Sequence, residues 1–234
     1  SLDQGAGVDV AVRLARIGPT GHGGLLPPRA YQRLPAARRR PARARARAHG
    51  GREAGAARRV YRGRMPRGGV VLVTGVGQGF GRALALGWGR AGYDVVCADR
   101  DVELASKTAA EVEEAGGQAI PIQIDVTVPM DVRHAFAKVD ELFGRLEGVV
   151  HVASRVSSAD ALELTDGEFA ELVDDTLRSS QLVLRNAARS LERGFVVIIA
   201  PPSSADAPQN AMVRGGLVRL GAAYGLRDAA LRVN

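Results

Sequence analysis

The chain of 234 residues is long enough for one α/β domain with a substantial core, and its 46% hydrophobic and 24% charged content is ordinary for a globular protein. Aromatic residues supply only 4%, and the single cysteine, Cys97, excludes an intramolecular disulfide framework or a multi-cysteine metal centre. The net charge of +7 divides unevenly: residues 1–68 carry 16 Arg and three acids, hence +13, whereas 69–234 carry 16 basic and 22 acidic groups, hence −6.

That asymmetry marks a tail joined to a mildly acidic domain. Residues 1–67 are rich in Arg, Ala, Gly and Pro, with too few large apolar side chains to offset the cost of ordering the backbone, so a disordered extension is expected. Arg without Lys is what GC-rich codons give, and Met65 is a candidate start. A nucleic-acid arm and a targeting peptide are the alternatives, and nucleic acid is not the expected partner. No apolar run approaches the roughly 20 residues of a membrane helix, so a cytoplasmic chain is expected.

The pattern changes at residue 68, where a domain over 68–234 begins. Val70–Thr74 is a β-branched run that predicts a buried strand, followed by glycines at 75, 77, 79 and 81 and a helix over Arg82–Arg90. A second strand is expected over Tyr93–Asp99 and a helix over Val102–Ala115, stopped by Gly116 and Gly117. A third strand over Ala119–Asp125 contains Pro121, awkward in a central position. Pro129–Phe143 predicts a helix with Pro in its first turn and Gly144 beyond its end, and Gly148–Ala153 a fourth strand.

Thr165 and Glu168 match a capping box opening one long helix, 166–193. Phe195–Ala200 predicts a fifth strand, Ala211–Gly225 a helix, and Leu231–Val233 the start of a sixth strand. Apolar strands alternating with helices predict a doubly wound α/β fold, a parallel sheet covered on both faces, with strand order 3-2-1-4-5-6.

A glycine-rich loop between a first strand and its helix lets backbone approach a phosphate and presents the helix N-terminus to it. The segment Thr74-Gly75-x-x-x-Gly79-x-Gly81 resembles the T-G-x-x-x-G-x-G loop of the short-chain dehydrogenase/reductase family, a likeness running from about Gly68 to Asn234. It implies an NAD(P)-binding Rossmann-like domain and oxidoreductase ancestry, with a small carbonyl or alcohol as substrate. The implied cofactor residues are Thr74, Gly75, Gly77, Gly79, Phe80, Gly81, Asp99, Arg100, Asp125, Val126 and Ala153. Asp99, at the end of the second strand, would accept the adenosine ribose hydroxyls and repel a 2′-phosphate, so NAD is preferred over NADP, an inference that Arg100 weakens a little. Asp125-Val126 matches the pair that contacts adenine, and Leu231-Arg-Val-Asn234 resembles the family's I-R-V-N. The resemblance also implies a homo-oligomer pairing through helices 166–193 and 211–225.

The family's catalytic pattern breaks here. Its Asn on the long helix is matched by Thr176, its Ser falls at Ala200 or Pro201, and its Tyr and Lys fall at Ala207 and Ala211. No lysine follows Lys138, so no shift of alignment restores the pair. His151, Ser203 and Ser204 are the candidate replacements, and no metal site is expected. Ser154 ends the fourth strand beside them, whereas Tyr224, Trp88, Asn186 and Cys97 read as packing residues. The family continues with a seventh strand and a substrate loop beyond the point where this sequence stops. The expectation is therefore a dinucleotide-binding domain, weakly active or inactive; the alternatives are a non-catalytic nucleotide-binding scaffold and an Arg-rich nucleic-acid-binding tail on an inactive domain.

Overall fold

The structure is a computed structural model that describes residues 69–152, 155–201, 207–227 and 231–233. The expected extension over 1–67, together with Ala153, Ser154, Ser203 and Ser204, lies outside the described residues.

Six parallel strands form one sheet: β1 (Val70–Thr74), β2 (Asp94–Asp99), β3 (Gln118–Gln123), β4 (Gly148–His151), β5 (Gly194–Ile198) and β6 (Leu231–Val233). Their order is β3-β2-β1-β4-β5-β6, so the chain reverses direction across the sheet between β1 and β4. In doubly wound sheets a crevice opens at that reversal, beyond the carboxyl ends of the strands. Between the strands run α1 (Gly79–Arg90), α2 (Val102–Glu114), α3 (Pro129–Phe143), α4 (Asp166–Val173), α5 (Ser179–Ser190) and α6 (Pro208–Arg227).

Alternation along the strands sends side chains to two cores. Val71, Val73, Val95, Cys97 and Val150 pack under α1 and α2 with Leu84, Trp88, Ala109 and Val112. Val70, Leu72, Val96, Val149 and Val196 pack with Val132, Phe136 and Val139 of α3 and Leu182, Val183 and Ala187 of α5. Trp88 stacks on Phe195 at 5.2 Å between ring centroids and meets Tyr93 edge-on at 4.8 Å. Tyr224 packs against the second core, as a helix-packing residue should.

The punctuation follows local chemistry. Asp101 caps α2 by accepting from the N–H groups of Glu103 and Leu104. Gly144 ends α3 with φ of +69°, and the Thr165–Glu168 capping box opens α4. Pro121 lies exposed on β3, an edge strand, where a missing donor is tolerated.

Three expectations need correction. The helix over 166–193 runs unbroken from Asp166 but ends at Ser190, and it contains a π-helical turn, Asp174–Arg178, between α4 and α5. Thr176 Oγ1 donates to the Leu172 carbonyl and Ser179 Oγ to that of Asp175 at 2.7 Å, so hydroxyls occupy carbonyls that the helical ladder would use. Strands β3, β4 and β5 each stop two residues before the expected ends, because pairing ceases while the apolar run continues into loops at the crevice. Helix α1 begins at Gly79 rather than Arg82, so the last two loop glycines form its first turn.

That turn depends on glycine at two positions for different reasons. A Cβ on Gly81 would lie 1.9 Å from the Gly75 carbonyl oxygen, so α1 can approach the end of β1 only without a side chain there. Gly79 has φ of +57°, in the left-handed region, but open space around it. Gly79→Ala should therefore cost about 1–2 kcal/mol of backbone strain. Gly81→Ala should cost more, about 3 kcal/mol or above, since backbone must move. Denaturant unfolding of both variants checks the order, and equal losses would contradict it.

Candidate functional site

The loop after β1 is sewn to the end of β2. The N–H groups of Gly75 and Val76 both donate to the Ala98 carbonyl, at 2.8 and 3.4 Å. Gly77 N–H donates to Asp99 Oδ2 at 2.8 Å, and Asp101 N–H to Asp99 Oδ1 at 3.1 Å. From α2, buried Thr108 donates its hydroxyl to the Val76 carbonyl at 2.9 Å. The Asp99 carboxylate is thus fixed at the end of β2 directly under the glycine loop.

Over this loop opens a cleft of about 520 Å³, lined by Gly75, Gly77, Gln78, Phe80 and Gly81 on one side and by Asp99, Arg100 and Leu104 on another. Ile124, Val126 and Val152 form its apolar wall, and Arg155 and Asp175 face it from beyond β4. Helix α1 presents its N-terminus here with no side-chain cap from Gln78 and no acid in its first turn. The first amides of a helix that lacks such a cap, with the helix dipole behind them, suit an anion.

The charged groups are ordered by ion pairs. Arg100 meets Asp125 through Nε at 3.1 Å and through an Nη at 3.3 Å. Partial burial would by itself raise the Asp125 carboxyl, but hydrogen bonds from the Thr127 hydroxyl and N–H and the charge of Arg100 outweigh it and hold it below the usual carboxylate range. Arg155 pairs with Glu171 and lies 3.7 Å from Asp175, which is also 3.9 Å from Arg100.

Beneath the cleft, His151 joins three elements. Its Nδ1 is 2.8 Å from the Thr74 hydroxyl on β1 and its Nε2 is 3.2 Å from the Ser179 hydroxyl at the start of α5. The ring is 1% exposed, and burial holds its pKa down to about 4. The ring is therefore neutral at pH 7, and its two nitrogens are occupied within the core.

Of the residues singled out in the sequence, Gly75, Gly77, Phe80, Gly81, Asp99, Arg100 and Val126 converge on the cleft. Thr74 is buried under it with His151, and Gly79 shapes the turn without lining the cleft. The Asp125 side chain faces an adjoining groove with Asp131, His134 and Lys138. His151 is enclosed rather than open to the cleft, because β4 places it level with Thr74 in the paired strand. Gln78, Leu104, Ile124, Val152, Arg155 and Asp175 were missed; apart from the loop neighbour Gln78, they come together only through the fold.

The His151 geometry gives a pH dependence. Its folded pKa lies below the unfolded value near 6.5, so the unfolded chain binds the proton more readily. This contribution to stability is complete above pH 6.5 and declines as the pH falls toward 4, by up to about 3 kcal/mol. Unfolding midpoints measured from pH 7 to 4.5 should fall less steeply in His151→Asn than in the parent chain; parallel curves would contradict the assignment.

Residues 69–212 match the family model for short chain dehydrogenases. A short-chain dehydrogenase/reductase of Pestalotiopsis microspora is 34% identical over 153 residues, covering 63% of this chain and 57% of that protein. Versicolorin reductase of Emericella nidulans is 34% identical over 152 residues, covering 63% and 58%. A solved short-chain type dehydrogenase/reductase from Mycobacterium marinum superposes with a TM-score of 0.66 at 26% identity, covering 69% of this chain and 70% of that one. The chain spans about half the length of the curated relatives it matches. With the loop, the sheet order and the crevice in agreement, this chain belongs to the short chain dehydrogenase family.

Proposed function

We propose that the cleft binds a nicotinamide dinucleotide, NAD in preference to NADP, and that the domain transfers hydride slowly or not at all. The observation that carries the binding reading is the N-terminus of α1, without a side-chain cap and opening over a glycine loop, with the Asp99 carboxylate fixed beside it. The pyrophosphate would take the amides of the first turn of α1, which have no side-chain cap from Gln78 and no acid beside them in that turn. Asp99 would accept from the adenosine ribose, and Ile124 and Val126 offer an apolar wall for adenine. Arg100 is turned toward Asp125, which competes with a 2′-phosphate for its Nε and one Nη.

A bound nicotinamide supplies or accepts a hydride, so the protein must manage the proton on the substrate oxygen. A general acid contributes about 10²–10⁴-fold to such a step. At the positions where the family resemblance puts that acid and its lysine stand Ala207, buried before α6, and Ala211 in its first turn. Neither side chain can donate. His151 is neutral and enclosed, which leaves Ser203 and Ser204 as the remaining candidates from the sequence. A homo-oligomer formed through α4, α5 and α6 belongs to the same reading, supported by exposed Phe169, Met212 and Val218 on those helices.

Calorimetric titration should show NAD binding about tenfold tighter than NADP, with the difference abolished in Asp99→Ala. Equal affinities in the parent chain would refute the role of Asp99. NADH oxidation against a panel of ketones, aldehydes and quinones should not exceed the substrate-free blank; a saturable, substrate-dependent rate would overturn the catalytic half of the proposal.

A further inference from the structure

The π-helical turn sends three successive side chains in three directions. Asp174 pairs outward with Arg178 at 3.1 Å, Thr176 is buried, and Asp175 faces the cleft. Asp175 there lies between two arginines on separate banks: Arg100 follows β2, and Arg155 belongs to the loop after β4. At 3.9 and 3.7 Å both contacts are ion pairs too long for a hydrogen bond. Each arginine has a closer acid, Asp125 for Arg100 and Glu171 for Arg155. Asp175 is therefore the most weakly held of the four carboxylates named.

Arg155 is held differently. Glu171 and Asp175 both meet it at the same terminal nitrogen, Nη1, so its Nε and other Nη donors have no acceptor among the described residues. Its loop is fastened two residues later: Ser157 N–H donates to Asn210 Oδ1 at 3.0 Å, and Asn210 Nδ2 donates to the Ser157 carbonyl at 2.7 Å. This two-point clamp from buried Asn210 on α6 fixes the backbone that carries Arg155 to the cleft. Gln209 reinforces it by donating to the Ala159 carbonyl at 2.8 Å.

We propose that Arg155 is a diphosphate-binding side chain of this cleft and that Asp175 is its displaceable counter-ion. This rests on the dinucleotide reading of the same site and adds to it a cation that the glycine loop does not supply. In the free protein Asp175 occupies the space between the two arginines. An entering diphosphate takes the donors of Arg155 that no described residue accepts, in charge-assisted hydrogen bonds stronger than the long ion pair they replace. Asp175 gives up two weak contacts, while Arg155 keeps Glu171 and Arg100 keeps Asp125. Loss of the Asp175 charge should then favour the anion, whereas loss of the Arg155 charge should disfavour it.

The test is calorimetric titration of NAD and of inorganic pyrophosphate into the full chain and three variants, at low and high salt. Arg155→Gln should weaken both probes about tenfold, and Arg155→Lys should restore part of that loss. Asp175→Asn should tighten both about threefold to fivefold at low salt and less at high salt, a gain that shrinks when Arg155→Gln is also present. Thermal unfolding of each variant should match the parent, since Arg155 is exposed and half-buried Asp175 makes only long ion pairs. NAD binding unchanged by Arg155→Gln overturns the proposal and leaves the dinucleotide site standing. Weaker binding in Asp175→Asn overturns the counter-ion role. Pyrophosphate binding that depends on Arg155, with no binding of NAD, upholds the proposal and refutes the dinucleotide reading. No binding of either probe overturns both.

Discussion

The approach of α1 to the end of β1 constrains everything above the sheet. The Gly75 carbonyl stands where a side chain on Gly81 would have to be, so the helix begins against the strand that feeds it. From that contact follow the direction of the α1 axis and the opening of its first amides onto the crevice between β1 and β4. The loop cannot drift, because Ala98, Asp99 and Thr108 hold its backbone from β2 and α2. Asp99 consequently serves two purposes with one carboxylate: it accepts from the loop amide of Gly77 and forms part of the cleft wall.

The second determinant is the distribution of charge around the rim. Exposed ion pairs are individually weak, so Arg100, Asp125, Asp175, Arg155 and Glu171 add little to the stability of the fold. Their positions matter more. They set which donors of Arg100 and Arg155 are engaged by acids among the described residues, at the rim of the cleft. The neutral contact beneath them is of another kind. The Thr74–His151–Ser179 chain is fully enclosed, and each polar atom in it relies on its neighbour because water cannot reach it.

The alternation of apolar strands with helices, the glycine spacing after Val70–Thr74 and the Thr165–Glu168 capping box were all legible, because each is a local pattern with a local cause. The π-helical turn was not. It goes with a pair of hydroxyls, Thr176 and Ser179, bonding back to the preceding turn, and Phe169, Leu172, Val173, Leu177 and Leu184 run through it at nearly helical spacing. The surroundings of His151 were hidden for a similar reason. At the end of a strand beside the crevice it resembles a catalytic side chain, and only the register of β4 with β1 sets it against Thr74. Arg155 and Asp175 carry no sequence signal toward each other, since a loop and a helical turn bring them together. The strand ends were overextended because apolar composition persists where pairing has stopped.

The central claim, that a dinucleotide lies across the N-terminus of α1 and against Asp99, is tested most directly by amide hydrogen exchange with and without NAD. The account predicts slower exchange in peptides covering 75–81 and 99–104, with α3 over 129–143 unchanged. Unaltered exchange at 75–81 under saturating NAD, or protection confined to other parts of the domain, would contradict it.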